Sequence, residues 1–121
     1  MSQFSKNIAP YVENELSKAR EAEQKGDHIA AFKYLENAHV LGQASTYWHV
    51  KVHYLMMRWG MKQKDSNEVF GQIIRIIGSA ALTKLKGVPV GNTGGSNVSP
   101  VKVMPIKAEH AAIISKARLG A

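Results

Sequence analysis

The sequence of 121 residues contains no cysteine, and this absence excludes several kinds of chemistry. A disulfide framework, thiolate ligands for a metal and a thiol nucleophile all require cysteine side chains. A metal bound by this chain would therefore be held by nitrogen and oxygen ligands. A chain of this length can form one compact core without the help of a disulfide or a metal.

Long hydrophobic runs are also absent. No segment approaches the ~18 apolar residues that are typical of a transmembrane helix. The first twenty residues, MSQFSKNIAPYVENELSKAR, carry charges throughout and lack the apolar stretch of a signal peptide. We therefore expect a cytoplasmic protein that does not enter a membrane.

Acidic residues are few, because 9 Asp and Glu stand against 16 Lys and Arg, which gives a net charge of +7. A positive net charge favours contact with anions such as nucleic acids. The basic residues are scattered over several predicted helices, however, and they do not alternate with aromatic residues as in single-strand-binding surfaces. We predict a generally basic surface rather than nucleic-acid binding.

Apolar residues recur with helical spacing in four successive segments, which predicts an all-α protein. The predicted helices span residues 7–25, 28–41, 47–62 and 68–85. We expect the first helix to end at Gly26 and the second at Gly42. Asp27 is the expected N-cap of the second helix, and either Ser45 or Thr46 is the expected N-cap of the third. Such short connections make neighbouring helices antiparallel, which predicts a four-helix hairpin array or bundle.

The composition changes at residue 87. The segment GVPVGNTGGSNVSPVKVMPI, residues 87–106, contains three prolines and four glycines and has no helical period. We expect a helical domain over residues 1–86, an ordered Gly/Pro-rich loop packed on it over 87–106, and a short C-terminal helix or tail over 107–121. The glycines lack the following lysine of a phosphate-binding P-loop, so a structural cover over one end of the domain is favoured.

Three of the five histidines lie within LENAHVLGQASTYWHVKVHY, residues 35–54. At about 100° per residue, His49 and His53 share the inward face of the third helix, and His39 lies on the apolar stripe of the second. Residues at equal distances from the turn of an antiparallel hairpin lie level with each other. His39 is therefore expected to face His49, and Glu36 is expected to face His53 one helical turn away.

The same comparison places Glu15 of the first helix level with Glu36 and His39. A carboxylate in an apolar stripe needs a partner, a proton or a bound ion. Three imidazoles and two carboxylates suit zinc, iron or manganese, with copper, nickel and cobalt as alternatives. We predict a divalent transition-metal site formed by Glu36, His39, His49 and His53, with Glu15 either as a further ligand or as a hydrogen-bond partner of a ligand.

A core without a metal is the alternative interpretation. A buried histidine can be satisfied by a hydrogen bond to a carboxylate, for example His53 with Glu36 or His39 with Glu15. The two remaining histidines of the chain, His28 and His110, are expected at the surface. The site pattern is compatible both with metal handling and with a metal-dependent enzyme, and it does not separate the two.

The segment AREAEQKGDHIAAFKYLENAHVLG resembles a tetratricopeptide unit. The resemblance is carried by small residues in the first helix, a tight turn and two positions in the second helix, namely Ala19, Ala22, Gly26, Asp27, Ala31 and Phe32. It implies an interaction module that binds a protein partner or a second copy of the chain. In that alternative function the histidines are core residues and no metal is bound.

Four sequence blocks, YLENAHVLGQ, WHVKVHYLMMRWG, PVGNTGGSNVS and MPI, resemble a family of small bacterial proteins of unknown function that is marked by an Asn-Thr-Gly motif. The resemblance extends nearly from end to end. It implies that Asn92, Thr93 and Gly94 belong to the family's defining motif, a possible loop motif that includes Gly91. It also implies that the other blocks contain further characteristic residues of the family, namely Glu36, His39, Gly42, Gln43, His49 and His53. The family carries no established activity that the resemblance could transfer.

Overall fold

The computed structural model describes residues 2–84, 93–96 and 103–120, and in the fourth helix it describes side chains as far as residue 78. Within these ranges the chain forms five helices and no strand: α1 Gln3–Gln24, α2 His28–Gly42, α3 Thr46–Lys62, α4 Ser66–Lys84 and α5 Ala108–Arg118. The predicted all-α fold is confirmed. None of the helices in the described ranges combines the length and the apolar character needed to cross a membrane.

Side-chain caps fix where the helices begin. Asp27 accepts a hydrogen bond from the backbone N–H of Ala30 at the start of α2, and Ser45 accepts one from Trp48 at the start of α3. These two predicted caps are confirmed. The predicted start of α1 at residue 7 is wrong, because Ser2 caps a helix that already begins at Gln3.

The helices pack as two hairpins, α1 with α2 and α3 with α4, which meet where α2 contacts α3. The fifth helix packs against α1 and α2. The core is built from the apolar stripes of the first three helices, including Ile8, Val12, Leu16, Leu35, Leu41, Val52 and Met56. The three histidines predicted as ligands occupy the same stripes, so the fold carries them into the interior.

The fourth helix has an unusual distribution of side chains. Its buried positions include Glu68 and Gln72, which are 5% and 0% exposed. Four of its described large apolar side chains face outward with exposures of 41–71%; they are Phe70, Ile73, Ile74 and Ile77. These four residues share one helical face, which we call the α4 stripe. The helix thus directs polar groups towards the interior and an apolar surface outward.

Gly42 is the last residue of α2, directly before the short turn that leads into α3. A methyl group at this position would lie 2.6 Å from Cβ of Trp48 and 3.5 Å from Val12. We expect Gly42→Ala to lower the free energy of unfolding by about 1–3 kcal/mol through overpacking, measured by urea denaturation.

Gly78→Ala is the matched control, because no described atom lies within 4 Å of the added methyl group. Alanine in a helix should there raise stability by up to about 1 kcal/mol. Equal stability of Gly42→Ala and the wild type would contradict the close contact between the α2 end and Trp48.

Candidate metal centre

Three buried histidines form one cluster between α2 and α3. His39 comes from α2, and His49 and His53 lie one turn apart on α3, with exposures of 2–6%. The Nε2 atoms of His39 and His53 are 3.1 Å apart, and the three ring centroids are separated by 4.6–4.9 Å. One ligand nitrogen of each ring lies within 4.8 Å of the other two.

This spacing can be compared with that of a bound ion. Zinc–nitrogen bonds of about 2.0–2.1 Å in a tetrahedral arrangement place two ligand nitrogens about 3.3 Å apart. The His39–His53 pair, at 3.1 Å, is already close to that value. The ligand nitrogen of His49 lies within 4.8 Å of the other two, so a tetrahedral ion held by all three histidines would draw this ring closer and would leave one coordination position for another ligand.

Gln72 on α4 determines the orientation of His53. The amide nitrogen of Gln72 lies 2.5 Å from a carboxylate oxygen of Glu68 and 2.8 Å from the carbonyl oxygen of Gly94. Both are acceptors, so the amide oxygen must be the atom that lies 2.5 Å from Nδ1 of His53. His53 Nδ1 therefore carries the proton and donates it, and Nε2 presents its lone pair to the cluster.

A short segment, Thr93–Ser96, covers the cluster; we call it the 93–96 segment. Gly94 has φ +87°, and a Cβ atom there would lie 2.6–2.8 Å from three ring atoms of His39. Only glycine therefore fits at this position. Ser96 donates to Glu68 through its backbone N–H at 3.2 Å and through its hydroxyl at 2.9 Å.

Two residues of the predicted loop motif, Thr93 and Gly94, thus lie beside the cluster. Gly91 and Asn92, together with most of the loop predicted over 87–106, lie outside the described residues. That Gly91, Asn92, Thr93 and Gly94 together form one loop motif stays a prediction.

The described group of three histidines includes neither of the two predicted carboxylates, and their role as ligands stays a prediction. Glu15 is 8% exposed and accepts a hydrogen bond of 3.4 Å from Asn37, with the ammonium group of Lys18 at 4.0 Å. Glu36 faces Thr93 and lines a cleft beside the cluster. Among the described residues, His39, His49 and His53 form the ligand group by themselves.

Burial changes the charge state of these groups. It raises the pKa of Glu36, with the negative charge of Glu68 adding to the effect, while Lys33 and Thr93 act in the opposite direction. Burial also lowers the pKa of His49 to about 3, with a contribution from the charge of His53.

His53 behaves in the same way as His49. Burial lowers its pKa to about 4; the hydrogen bond to Gln72 opposes this change, and the charge of Arg75 adds to it. Both imidazoles are therefore neutral at pH 7, and neutral imidazole is the form that binds a metal.

A cleft of about 820 Å³ opens beside the cluster. Its walls carry aromatic, basic and acidic side chains, including Phe32, Lys33, Trp59, Glu36, Glu68, Arg75 and Ser96. Glu68 also belongs to the hydrogen-bond network behind His53, so the cleft and the cluster share a wall. The cleft offers space for a small molecule beside Glu68 and Ser96, and its lining includes none of the three histidines.

Sequence reasoning missed Glu68, Gln72 and Ser96 as parts of the site. The sequence feature that could have indicated Glu68 and Gln72 is their spacing of four residues, which puts two polar residues on one face of a largely apolar helix. The surface position predicted for His110 is wrong, because α5 packs on the domain and leaves this side chain only 5% exposed. His28 is exposed as predicted.

Comparison with curated proteins and with solved structures gave no match. The tetratricopeptide resemblance of the first hairpin and the Asn-Thr-Gly motif stay predictions. Membership of a family of unknown function, predicted from the sequence blocks, is confirmed. A sequence-family model described as "Protein of unknown function (DUF3703)" matches residues 6–114, a range that includes all three histidines of the cluster, and the chain belongs to this family.

Proposed function

We propose that this protein binds one divalent transition-metal ion through His39, His49 and His53. The observation that carries the proposal is the convergence of three buried imidazoles from two helices, with their ligand nitrogens within 4.8 Å of one another. A set of three imidazoles suits zinc best, and cobalt, nickel and copper also fit nitrogen ligands. Iron and manganese would be favoured more if Glu36 joined the set.

The hydrogen bonds of His53 support a ligand role over that of a histidine paired with a carboxylate. Its Nδ1 contacts Gln72 and its Nε2 contacts His39, so neither of these contacts involves a carboxylate. An outer partner that accepts from one nitrogen while the other faces the ion is the usual arrangement of a metal-bound histidine. Gln72 provides that partner here.

The open fourth position defines what the site could do. An ion held by three histidines can bind a water molecule and lower its pKa, or it can be passed to another carrier. The adjacent cleft shares Glu68 with the hydrogen-bond network behind His53 and offers a substrate or an exchanging ligand a place to bind near the cluster. Metal handling and metal-dependent hydrolysis are the two roles that this arrangement supports.

Metal uptake tests the proposal. We expect the untagged protein, dialysed against zinc at pH 7.5, to retain one ion per chain and to melt at a higher temperature. At a free zinc concentration 100 times Kd, the stabilisation should be about 2.7 kcal/mol. Failure of zinc, cobalt, nickel, copper, iron and manganese to bind or to change the melting temperature would contradict the proposal.

Association with a second copy of the chain is a second candidate function, and it rests on the α4 stripe. The spacing of the stripe, at positions i, i+3, i+4 and i+7, is that of helices which pack against one another. Large exposed apolar patches commonly mark interaction sites. No charged residue lies in the stripe, so two copies of this basic chain can meet there without like charges in contact.

We expect sedimentation equilibrium to show a dimer for the wild type and a monomer for Ile74→Glu, because a buried carboxylate would oppose apolar packing. Ile29→Glu is the matched control: Ile29 is 78% exposed on α2, outside the stripe. A wild type that stays monomeric over a hundredfold range of concentration would contradict this second candidate.

A further inference from the structure

Gln72 connects the histidine cluster with the segment that covers it. The side chain is 0% exposed and makes three polar contacts: with His53 at 2.5 Å, with Glu68 at 2.5 Å and with the Gly94 carbonyl at 2.8 Å. One amide oxygen accepts, and the amide nitrogen donates both of its hydrogens. If the amide were rotated by 180°, its oxygen would face two acceptors, Glu68 and the Gly94 carbonyl. The orientation with the oxygen towards His53 is therefore strongly favoured.

The 93–96 segment touches the cluster and its support at two further points. Gly94 lies directly against the ring of His39. Ser96 binds Glu68, and its Cβ would lie 2.6 Å from a methyl group added at Gly71, so the segment sits closely on α4. The same α4 residues that orient His53 therefore also hold the segment.

Metal binding would act on both of these connections. An ion on Nε2 of His53 requires the proton on Nδ1, which is the form that donates to Gln72. An ion on His39 would also fix the ring against which Gly94 packs. Both effects favour the position of the segment seen in the structure.

We propose that Gln72 couples metal binding at the histidine cluster to the packing of the 93–96 segment over that cluster; this inference rests on the proposed metal site. The ion binds more tightly when the segment is in place, and the segment is held more firmly when the ion is bound. The two effects are equal in size, because coupling between two binding equilibria is reciprocal. Gln72 is thus a positioning residue for the site and for its cover.

Gln72→Glu separates the contact with His53 from the contact with the 93–96 segment. A carboxylate still accepts the hydrogen bond from His53, but beside Glu68 it has at most one shared proton, so it cannot donate to both the Gly94 carbonyl and Glu68 as the amide does. Hydrogen–deuterium exchange of the peptide that contains residues 93–96 is measured with and without zinc. We expect zinc to slow this exchange at least tenfold in the wild type and not in Gln72→Glu, although the variant binds zinc within about tenfold of the wild-type affinity.

Gln72→Leu removes both connections, so zinc affinity should fall about 10–100-fold, the range found for outer partners of metal ligands. A variant outside the cluster gives a second measurement if Gln72→Leu does not fold. Ser96→Ala deletes one hydrogen bond to Glu68 at a partly buried position and should weaken the zinc-dependent slowing of exchange.

A pair of glycine variants tests the contact with His39. Gly94→Ala adds a methyl group within 2.6 Å of the ring and should lower zinc affinity. Gly26→Ala has a similar backbone conformation, with φ +77° against +87°, but no described atom lies within 4 Å of its added methyl group. This control carries comparable backbone strain and should bind zinc like the wild type.

The outcomes distinguish this inference from the function on which it rests. Zinc binding by the wild type with unchanged exchange of the 93–96 segment would overturn the coupling and leave the metal site intact. Zinc-dependent slowing that persists in Gln72→Glu would overturn the role of Gln72. A wild type that binds no metal would overturn the proposed function, and the coupling with it.

Discussion

Replacing His53 with alanine is expected to lower zinc affinity by more than about 100-fold, as measured by competition with a chelator of known affinity. The variant lacks one of three ligands, and removal of an outer partner alone costs about 10–100-fold. We expect losses of the same order for His39→Ala and His49→Ala. These variants are compared at equal concentration and after circular dichroism has shown that each is folded.

The His53 variant should also be less stable without metal. Loss of the His53 imidazole leaves the buried amide oxygen of Gln72 without this donor, which costs on the order of 1–3 kcal/mol. His28→Ala is the matched control, because His28 is an exposed histidine outside the cluster. Wild-type zinc affinity in any of the three cluster variants would show that the corresponding histidine is not a ligand.

The metal-free protein is expected to lose stability as the pH falls from 6.5 to 5. The pKa is about 3 for His49 and about 4 for His53 in the folded state, below the value of 6.5 for an unperturbed histidine. In this window the unfolded chain therefore binds protons that the folded chain does not bind. Stability rises with pH whenever the unfolded state binds more protons, so acid favours unfolding here.

The expected slope is on the order of 1 kcal/mol per pH unit for each of the two histidines, a large effect for a domain whose total stability is about 5–15 kcal/mol. Urea denaturation at a series of pH values measures it. The window ends at pH 5 because carboxylates begin to titrate below that value. The stabilisation is complete above pH 6.5 and falls as the pH decreases towards the folded pKa values.

Variants identify the groups responsible for this slope. The double variant His49→Gln and His53→Gln, which has no imidazole at these positions, should show a much flatter dependence between pH 6.5 and 5. His28→Gln, with its side chain at the surface, should keep the wild-type slope. A wild-type stability that does not change between pH 7 and 5 would contradict the burial of neutral histidines in the cluster.

The helices and the direction of the three histidines could be predicted from the sequence because both follow from local periodicity. Apolar spacing and capping residues such as Asp27 and Ser45 locate helices within a few residues. A rotation of about 100° per residue then places His39, His49 and His53 on inward faces. The start of α1 at Gln3 is not predicted, because the cap at Ser2 extends the helix before the apolar pattern begins at Ile8.

The surroundings of the cluster could not be predicted in this way. Gln72 lies 19 residues after His53, and Gly94 lies 22 residues after Gln72, so their contacts depend on how α4 and the 93–96 segment pack. The apolar pattern of α4 also misleads, because its isoleucines suggest a core-facing side, whereas Gln72 faces the interior. The register of the α2–α3 turn, which aligns His39 with His49, does not show which side chain of α4 will contact His53.

The carboxylates illustrate the same limit. Counting residues from the turns puts Glu15 and Glu36 at the same height along the bundle as the histidines, but it does not determine the side-chain direction across the bundle. In the structure Asn37 and Lys18 are the partners of Glu15. Glu36 points towards Thr93 and the cleft.

The central claim, that three imidazoles of one chain hold a single ion, is tested most directly by zinc K-edge X-ray absorption. The spectrum is recorded on untagged wild-type protein loaded with one equivalent of zinc. The account predicts three imidazole nitrogens at about 2.0–2.1 Å, and one imidazole fewer in His53→Ala. A first shell made only of oxygen, or an imidazole count unchanged in His53→Ala, would contradict it.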